Sequence, residues 1–231
     1  MNDTINFKFI PLPSVYLMEV ETPDDFVNDL NTYLDKLLKK QDRKTNADTL
    51  VGQIHNGEQL RMDHLCEELE EVRYILCNLA AKYVAEFLRH TGQSLENDRQ
   101  VEIDELWSVH SYAGDYNPIH DHGTQTAMGV SCTTWTKVPS QISKLKAPEE
   151  GMSYFHSSGC VDGFLEFVFG RNSVLDKERL MPVQDCVIKP TVGRLYFFPS
   201  WLQHMVYPFR GKGERRTVAA NFNCFPSEKK E

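Results

Sequence analysis

Three histidines have the types and spacing of a metal site. His120 and His122 stand two residues apart, and His204 follows an apolar, strand-like segment later in the chain. In an extended backbone, side chains two residues apart lie on the same face, so the first two imidazoles can reach one ion while Asp121 points away. Three protein ligands on one side of an ion leave coordination positions open, and open positions indicate a catalytic metal rather than a structural one.

An arginine near the C-terminal end adds a binding group for a carboxylate. Arg215 and Thr217 stand two residues apart at the start of a predicted strand and therefore share a face. A guanidinium offers a rigid, permanently charged pair of donors that matches a carboxylate. Arg216 faces the opposite way, so only one of the two arginines points inward, and the R-x-T spacing favours Arg215. The histidines and the arginine together predict an iron site that binds a dicarboxylic acid.

These residues lie in a half of the chain that is rich in short strands. From residue 101 onward, apolar and β-branched segments alternate with Gly, Pro and Asn, without helical periodicity. Strands are predicted at 101–109, 126–135, 164–169, 184–188, 194–198, 205–207 and 217–224. Short strands without helices between them predict a barrel or a sandwich. The longest interruption, 139–160, is predicted to be a lid or a binding loop.

The N-terminal half predicts helices that support this β-structure. Residues 5–20 favour two short strands, and Thr22, followed by proline and acidic residues, is predicted to cap a helix. Apolar residues then recur at helical spacing over 26–38, and again over 63–91. The polar segment 41–62 between them is predicted to be a loop. Two long helices followed by strands indicate helices that buttress a sheet.

Length and composition fit an ordinary globular protein. The chain has 231 residues, 41% of them apolar and 25% charged, which is enough to bury a sizeable core. We expect a single domain over 1–231, in which 1–100 supplies strands and supporting helices and 101–225 forms the catalytic core.

Charge and cysteine spacing restrict the partners and the compartment. A net charge of −8 without a basic stripe argues against a nucleic-acid partner. No apolar run is long enough to span a membrane, and the N-terminus does not have the pattern of a signal peptide. For these two reasons we expect a cytoplasmic protein. Six cysteines without a C-x-x-C pair are then expected to be small buried free thiols, as is usual in a reducing compartment.

Several separated motifs occur in a fixed order in the C-terminal half. They are Tyr112-x-Gly114, His120-x-His122, Pro190-Thr-Val-Gly193, Phe198-Pro-Ser-Trp-Leu-Gln-His204, Gly213-Glu-Arg-Arg-Thr217 and Asn221-Phe-Asn223. Over 107–224 they resemble the Fe(II)- and 2-oxoglutarate-dependent dioxygenase superfamily, and within it the prolyl-hydroxylase-like branch of bacteria and phages. The resemblance implies a mainly β fold, a double-stranded β-helix of the jelly-roll, cupin-like kind, buttressed by the two N-terminal helices.

The resemblance also implies cofactors and residue roles. The Fe(II) ligands would be His120, His122 and His204, and the residues binding 2-oxoglutarate would be Arg215, Thr217 and Tyr112. The implied reaction hydroxylates a C–H bond of the substrate while 2-oxoglutarate and O2 become succinate and CO2. The implied partner is a small molecule or a peptidyl residue such as proline. The sequence sets no oligomeric state, and a homodimer is compatible with it.

One departure from the superfamily keeps alternatives open. The usual ligand pattern is H-x-D/E followed by a distal histidine, whereas His122 stands in the acidic position here. Entry of Asp121 or Asp115 into the coordination shell is therefore an alternative for the ligand set. Three histidines also suit zinc, copper, or iron in a cupin-like enzyme that does not use 2-oxoglutarate. A third reading is a β-helix that binds without catalysis.

Overall fold

The computed structural model of the protein describes residues 15–45, 52, 54–55, 57–95, 99–146, 158–170 and 185–227. Two predictions fall partly outside these residues: the first of the two strands within 5–20, and the part of the predicted lid at 147–157. The described end of that lid segment contains a short helix whose Ile142 is buried against Phe164 and Phe209.

The described residues form ten strands and three helices. The strands are β1 (Met18–Glu21), β2 (Glu58–Arg61), β3 (Arg99–Ser111), β4 (Asn117–His120), β5 (Gly129–Lys137), β6 (Leu165–Val168), β7 (Asp185–Ile188), β8 (Arg194–Pro199), β9 (His204–Val206) and β10 (Arg215–Pro226). The helices are α1 (Asp24–Leu37), α2 (Glu70–Thr91) and α3 (Ser140–Ser143). None of these helices is long and apolar enough to cross a membrane.

The strands form two antiparallel sheets. The larger sheet has six strands in the order β1-β8-β5-β10-β3-β2, and the smaller has four in the order β4-β9-β6-β7. Apolar side chains from both sheets pack in one cluster, with Trp135 and Phe198 on the larger sheet and Leu165 and Phe167 on the smaller. This packing places the smaller sheet against one face of the larger sheet. The predicted double-stranded β-helix is confirmed.

The two long helices cover the other face of the six-stranded sheet. Their buried stripes, which include Leu30, Leu34, Leu76 and Tyr83, pack in the same cluster as four even-numbered residues of β10, namely Val218, Ala220, Phe222 and Cys224. Side chains in a strand alternate between faces, so the odd-numbered residues of β10 face the smaller sheet instead. The prediction of buttressing helices is confirmed, and the alternation along β10 fixes which of its residues can reach a site between the sheets.

Local predictions in the N-terminal half need three corrections. The segment 41–62, predicted to be a loop, contains strand β2 near its end, and this strand pairs with β3. Leu60 is the only apolar residue of β2, so its sequence lacks the alternation of apolar and polar residues that predicts a strand. Thr22 does not cap α1, because its hydroxyl donates to the Gly193 carbonyl at 2.9 Å and Pro23 is the cap residue. The second helix begins as a 3-10 turn at Glu67–Leu69 rather than at residue 63.

All six cysteines are free thiols, as predicted from their spacing. Cys132 and Cys224 are buried, whereas the other four are half-buried. Burial raises the pKa of the Cys224 thiol to about 11, which keeps it protonated and unreactive at neutral pH.

A buried ionic network joins α1 to the beginning of β10. The Arg216 guanidinium is buried and contacts Glu214 at 2.8 Å, Asp35 at 2.7 Å and the Asn31 side-chain oxygen at 3.0 Å. The Glu214 oxygen that accepts from Arg216 Nε also accepts a 2.6 Å hydrogen bond from His110 of β3. These contacts tie one helix to two strands of the larger sheet, so we expect the network to stabilise the fold.

Glu214 makes this stabilisation dependent on pH. Burial alone would raise its pKa, but hydrogen bonds from His110 and Arg216, and the charge of Arg216, outweigh burial and lower the pKa to about 2 from an ordinary 4.5. A lowered pKa in the folded state contributes stability above about pH 4.5, and this contribution is lost as the pH falls towards 2.

We therefore expect Glu214→Gln to lower the free energy of unfolding by about 2 kcal/mol at pH 7. The difference from the unaltered protein should shrink as the pH falls through this window. Urea unfolding at several pH values between 7 and 2.5 gives the curve of unfolding free energy against pH for each of the two proteins. Two curves that stay parallel down to the lowest pH would show that the Glu214 carboxylate does not carry the acid sensitivity.

Candidate metal centre

The pairing of β4 with β9 brings the three predicted histidines together. His120, the last residue of β4, lies directly opposite His204, the first residue of β9. The rings of this pair have their centroids 4.3 Å apart, and the His122 centroid lies 4.8 Å from that of His204 and 5.4 Å from that of His120. Their nearest ring nitrogens all lie within 4.8 Å of one another. One ion can therefore be shared by the three imidazoles after small side-chain adjustments.

Each of the three imidazoles has its Nδ1 atom held by an oxygen. The Nδ1 atoms of His120 and His204 lie 2.7 Å and 3.0 Å from the carbonyl oxygens of Pro118 and Leu202. A carbonyl oxygen can only accept, so each Nδ1 carries the proton and donates it. The tautomer that results leaves the lone pair on Nε2, the atom that can bind a metal. In His120 this atom accepts a 3.1 Å hydrogen bond from the Asn117 side-chain amide, which a metal would replace.

The third ring is held by a side chain rather than by the backbone. His122 Nδ1 lies 2.9 Å from the Asn221 side-chain oxygen, which also accepts a 2.8 Å hydrogen bond from the Ser131 hydroxyl. Sequence reasoning did not assign a role to Asn221 or Ser131. The sequence did indicate that Asn221 could reach the site. It follows Arg215 by six residues, and residues an even number of positions apart in a strand lie on the same face.

Burial keeps the histidines neutral. Desolvation, together with the neighbouring imidazoles, lowers the pKa of His204 to about 3 and that of His122 to about 4. Desolvation also lowers the pKa of His120. A metal binds the unprotonated imidazole, so the site is ready to accept a cation at neutral pH without first losing protons.

Aromatic rings form the walls around the histidines. Trp107 of β3 stands edge-on to His122 with ring centroids 5.3 Å apart, and Phe198 of β8 stands edge-on to His204 at 5.1 Å. Phe167 of β6 lies 5.9 Å from the same histidine. These rings fix the orientations of the imidazoles and make one side of the site apolar.

The two arginines at the start of β10 point in opposite directions. Arg216 enters the ionic network on the helix-bearing face, while Arg215 is buried and donates to the Gly163 carbonyl, just before β6, at 2.9 Å. Burial lowers the pKa of Arg215 to about 10, against the opposing charge of Asp115, and the side chain stays cationic at neutral pH. The structure thus places Arg215, the arginine that the spacing favoured, on the face that carries Asn221.

The Arg215 guanidinium has an edge that is open to a ligand. Among the residues that the structure describes, its buried Nε atom has no hydrogen-bond partner, and its Nη2 atom contacts the Ser111 hydroxyl at 3.4 Å. Among the described residues, no carboxylate forms an ion pair with it. A buried donor left unpaired is costly, so this edge suits the carboxylate of a bound molecule.

Thr217 and Tyr112, the other two residues predicted to bind 2-oxoglutarate, lie in different surroundings. Thr217 shares the inner face of β10 with Arg215 and with the small Ala219. Tyr112 is 37% exposed, and burial and the charge of Glu214 raise the pKa of its hydroxyl. That places Tyr112 near the ionic network, and its contact with 2-oxoglutarate stays a prediction.

The two acidic alternatives lie apart from the histidine cluster. Asp121 is exposed, as expected from its position between two residues that face inward. Asp115 is buried, but its two oxygens accept hydrogen bonds from the backbone N–H groups of His55 and Tyr112 at 2.9 Å and 2.8 Å. Within the described part of the chain, the metal-binding cluster contains the three histidines without a carboxylate.

A β-helix with three convergent imidazoles and a buried, partly unpaired guanidinium defines a candidate metalloenzyme that binds an acidic small molecule. Residues 105–221 match the family described as "Putative 2OG-Fe(II) oxygenase", and the chain belongs to this family of Fe(II)- and 2-oxoglutarate-dependent oxygenases. A comparison with curated protein sequences gave no match.

Solved structures share the fold at low sequence identity. A Pseudomonas putida prolyl-4-hydroxylase is 15% identical with a TM-score of 0.52, over 90% of this chain and 91% of that chain. AviO1 from Streptomyces viridochromogenes Tue57 is 13% identical with a TM-score of 0.52, over 89% and 88%. HygX from Streptomyces hygroscopicus, solved with nickel, 2-oxoglutarate and hygromycin B, is 8% identical with a TM-score of 0.50, over 90% and 82%. At these identities the likeness concerns the fold.

The donor set fits the family's metal. Three neutral imidazoles with oriented Nε2 atoms suit Fe(II), although the same set also suits Zn²⁺ or Cu²⁺, so the family rather than the ligands selects iron. The unpaired Nε of Arg215 likewise fits a dicarboxylic co-substrate such as 2-oxoglutarate.

Proposed function

We propose that the protein is a hydroxylase in which His120, His122 and His204 bind Fe(II) and Arg215 binds 2-oxoglutarate. One observation carries the proposal: each imidazole has its Nδ1 bonded to an oxygen, which puts the lone pair on Nε2, and the three rings offer ligand atoms within 4.8 Å of one another. Residues that served only to pack a core would not need three matched tautomers around one point.

The chain's own residues would hold and orient the two reactants. The histidines would hold the ion from one side, so that other coordination positions would remain for the co-substrates. The distal carboxylate of 2-oxoglutarate would accept from the open edge of Arg215, and the Thr217 hydroxyl would add a contact. Because Arg215 is tied to Gly163, the guanidinium is held in place before the ligand arrives.

Iron(II), when bound, supplies the centre at which O2 and 2-oxoglutarate react to give succinate, CO2 and a hydroxylated substrate. The protein's part is to exclude water from that reaction. Trp107, Phe167 and Phe198 support this role, because they cover the imidazoles with apolar surface.

We propose a C–H bond of a prolyl or another peptidyl residue as the target. Two apolar side chains next to the metal ligands support a peptide-binding surface: Tyr116 is 37% exposed and Ile119 is 51% exposed. Exposed apolar groups beside a reactive centre are typical of a contact surface for a substrate. Incubation with proline-containing peptides, followed by mass spectrometry for the gain of one oxygen atom, tests this choice.

The central test is the binding of 2-oxoglutarate to the Fe(II)-loaded protein without oxygen. A 2-oxo acid that chelates Fe(II) produces a visible charge-transfer absorption, so we expect this absorption only when iron and 2-oxoglutarate are both present. Admission of air should then consume 2-oxoglutarate and release succinate. A metal-loaded protein that never develops the absorption would contradict the proposal.

A second candidate, a cupin-like metalloenzyme that does not use 2-oxoglutarate, is favoured by one observation. The described cluster has three imidazoles and no carboxylate, which leaves the metal site one unit more positive than the usual pattern. In the experiment above, this enzyme would bind metal and ignore 2-oxoglutarate. A non-catalytic β-helix would bind no metal at all.

We also propose that residues 1–231 form one domain whose catalytic core is 101–225, and that the protein acts in the cytoplasm. The strand pairings of β1 with β8 and of β2 with β3 support the first statement, because N-terminal strands complete the larger sheet. The free state of the six cysteines supports the second.

A further inference from the structure

A pocket lies on the helix-bearing side of the larger sheet, away from the histidines. It has a volume of about 560 Å³, within the range of roughly 300–1,000 Å³ that is usual for small-molecule sites. Its walls come from the second half of α2 and from the ends of β5, β8 and β10. Apolar side chains predominate, among them Tyr83, Phe87, Met128, Val130 and Trp201.

The larger sheet separates this pocket from the metal centre. Tyr83, Val84, Val130 and Cys224 line the pocket and belong to the core between the helices and the larger sheet. The histidines lie on the opposite face of that sheet, and neither they nor Arg215 line the pocket. The pocket and the metal centre are therefore lined by different residues.

One cationic side chain stands in this apolar wall. Arg99, the first residue of β3, is half-buried, and its Nε atom is shielded from solvent without a hydrogen-bond partner. Within the described residues, no carboxylate pairs with its guanidinium. Arg99 pairs with Pro226 across β3 and β10, and both residues line the pocket together with Cys224.

An unpaired guanidinium and an apolar cavity together specify the chemistry of a ligand. A neutral apolar molecule would leave the Arg99 donor without a partner, at the cost of a buried unsatisfied group. A small polar anion would leave the aromatic and aliphatic walls exposed to water. A molecule with one carboxylate and an extended apolar body can pair with the Arg99 guanidinium and also cover the apolar side chains of the pocket.

We propose that this pocket binds an amphipathic monocarboxylic acid, with its carboxylate on Arg99 and its apolar body between α2 and the sheet. The proposal does not depend on iron or on 2-oxoglutarate. It can therefore succeed or fail independently of the hydroxylase function.

Isothermal titration calorimetry with decanoate and with decan-1-ol tests the proposal, because the two probes differ only in the head group. Arg99→Gln removes the charge and keeps a polar side chain of similar reach. We expect this variant to bind decanoate roughly tenfold more weakly than the unaltered protein, with its affinity for decan-1-ol unchanged. Arg194→Gln, which removes a half-buried arginine that pairs with Glu19 and does not line the pocket, should bind both probes normally.

A second variant tests the location. Ala127 lines the pocket and is exposed, so Ala127→Trp should fill part of the cavity and weaken the binding of both probes without disturbing the core. Three results would each overturn the proposal. They are no binding of decanoate to the unaltered protein, equal decanoate affinities with and without Arg99, or full affinity in Ala127→Trp.

Discussion

We expect His204→Ala to lose Fe(II) binding by at least about 100-fold, and to lose oxygenase activity with it. His204 is the ligand that β9 delivers from a different part of the chain, and it is the most deeply buried of the three histidines. Alanine leaves His120 and His122 as two neighbouring ligands, and two imidazoles hold a divalent ion far less well than three. Equilibrium dialysis of the anaerobic protein against Fe(II), with metal analysis of the retained protein, measures the change.

The matched control is His90→Ala. His90 is the next-to-last residue of α2 and its side chain is 46% exposed, so its loss should leave metal content unchanged. Thermal unfolding of both variants shows whether the fold is kept, because a buried ring has been removed in one of them. Full iron occupancy in a folded His204→Ala protein would remove this residue from the ligand set.

Arg215→Ala should raise the concentration of 2-oxoglutarate needed for half-saturation by at least about 30-fold while leaving the iron content intact. The physical reason is the loss of a buried, charge-assisted contact to the distal carboxylate of the co-substrate. Titration of 2-oxoglutarate into the Fe(II)-loaded protein, followed by the charge-transfer absorption, gives the value directly. Arg215→Lys should recover only part of the affinity, because an ammonium lacks the planar pair of donors.

The neighbouring arginine supplies the control for this prediction. Arg216 is equally buried, but its partners are Glu214, Asn31 and Asp35 on the helix-bearing side. Arg216→Gln should therefore lower the melting temperature and leave the 2-oxoglutarate requirement of the folded protein unchanged. The reverse outcome, in which only the Arg216 variant needs more 2-oxoglutarate, would show that the other guanidinium binds the co-substrate.

The alternation of side chains along a strand allowed the sequence alone to predict which candidate site residues share a face. Residues two apart in a strand share a face whatever the strand is paired with, so the His120 and His122 pair could be predicted without coordinates. The same rule separated Arg215 from Arg216. The stripes of α1 and α2 were also predictable, because apolar residues at helical spacing must be buried against something.

The tertiary structure determined which residues the side chains on those strand and helix faces contact. The register that sets His120 opposite His204 joins distant segments, and no local pattern specifies it. The acceptors that orient the rings, such as Asn221, and the partners that neutralise Arg216 likewise come from other elements. Strand β2 escaped prediction because its four residues form a strand only through pairing with β3. Spacing along the chain fixes the direction of a side chain, whereas its partners depend on contacts that form when distant segments pack together.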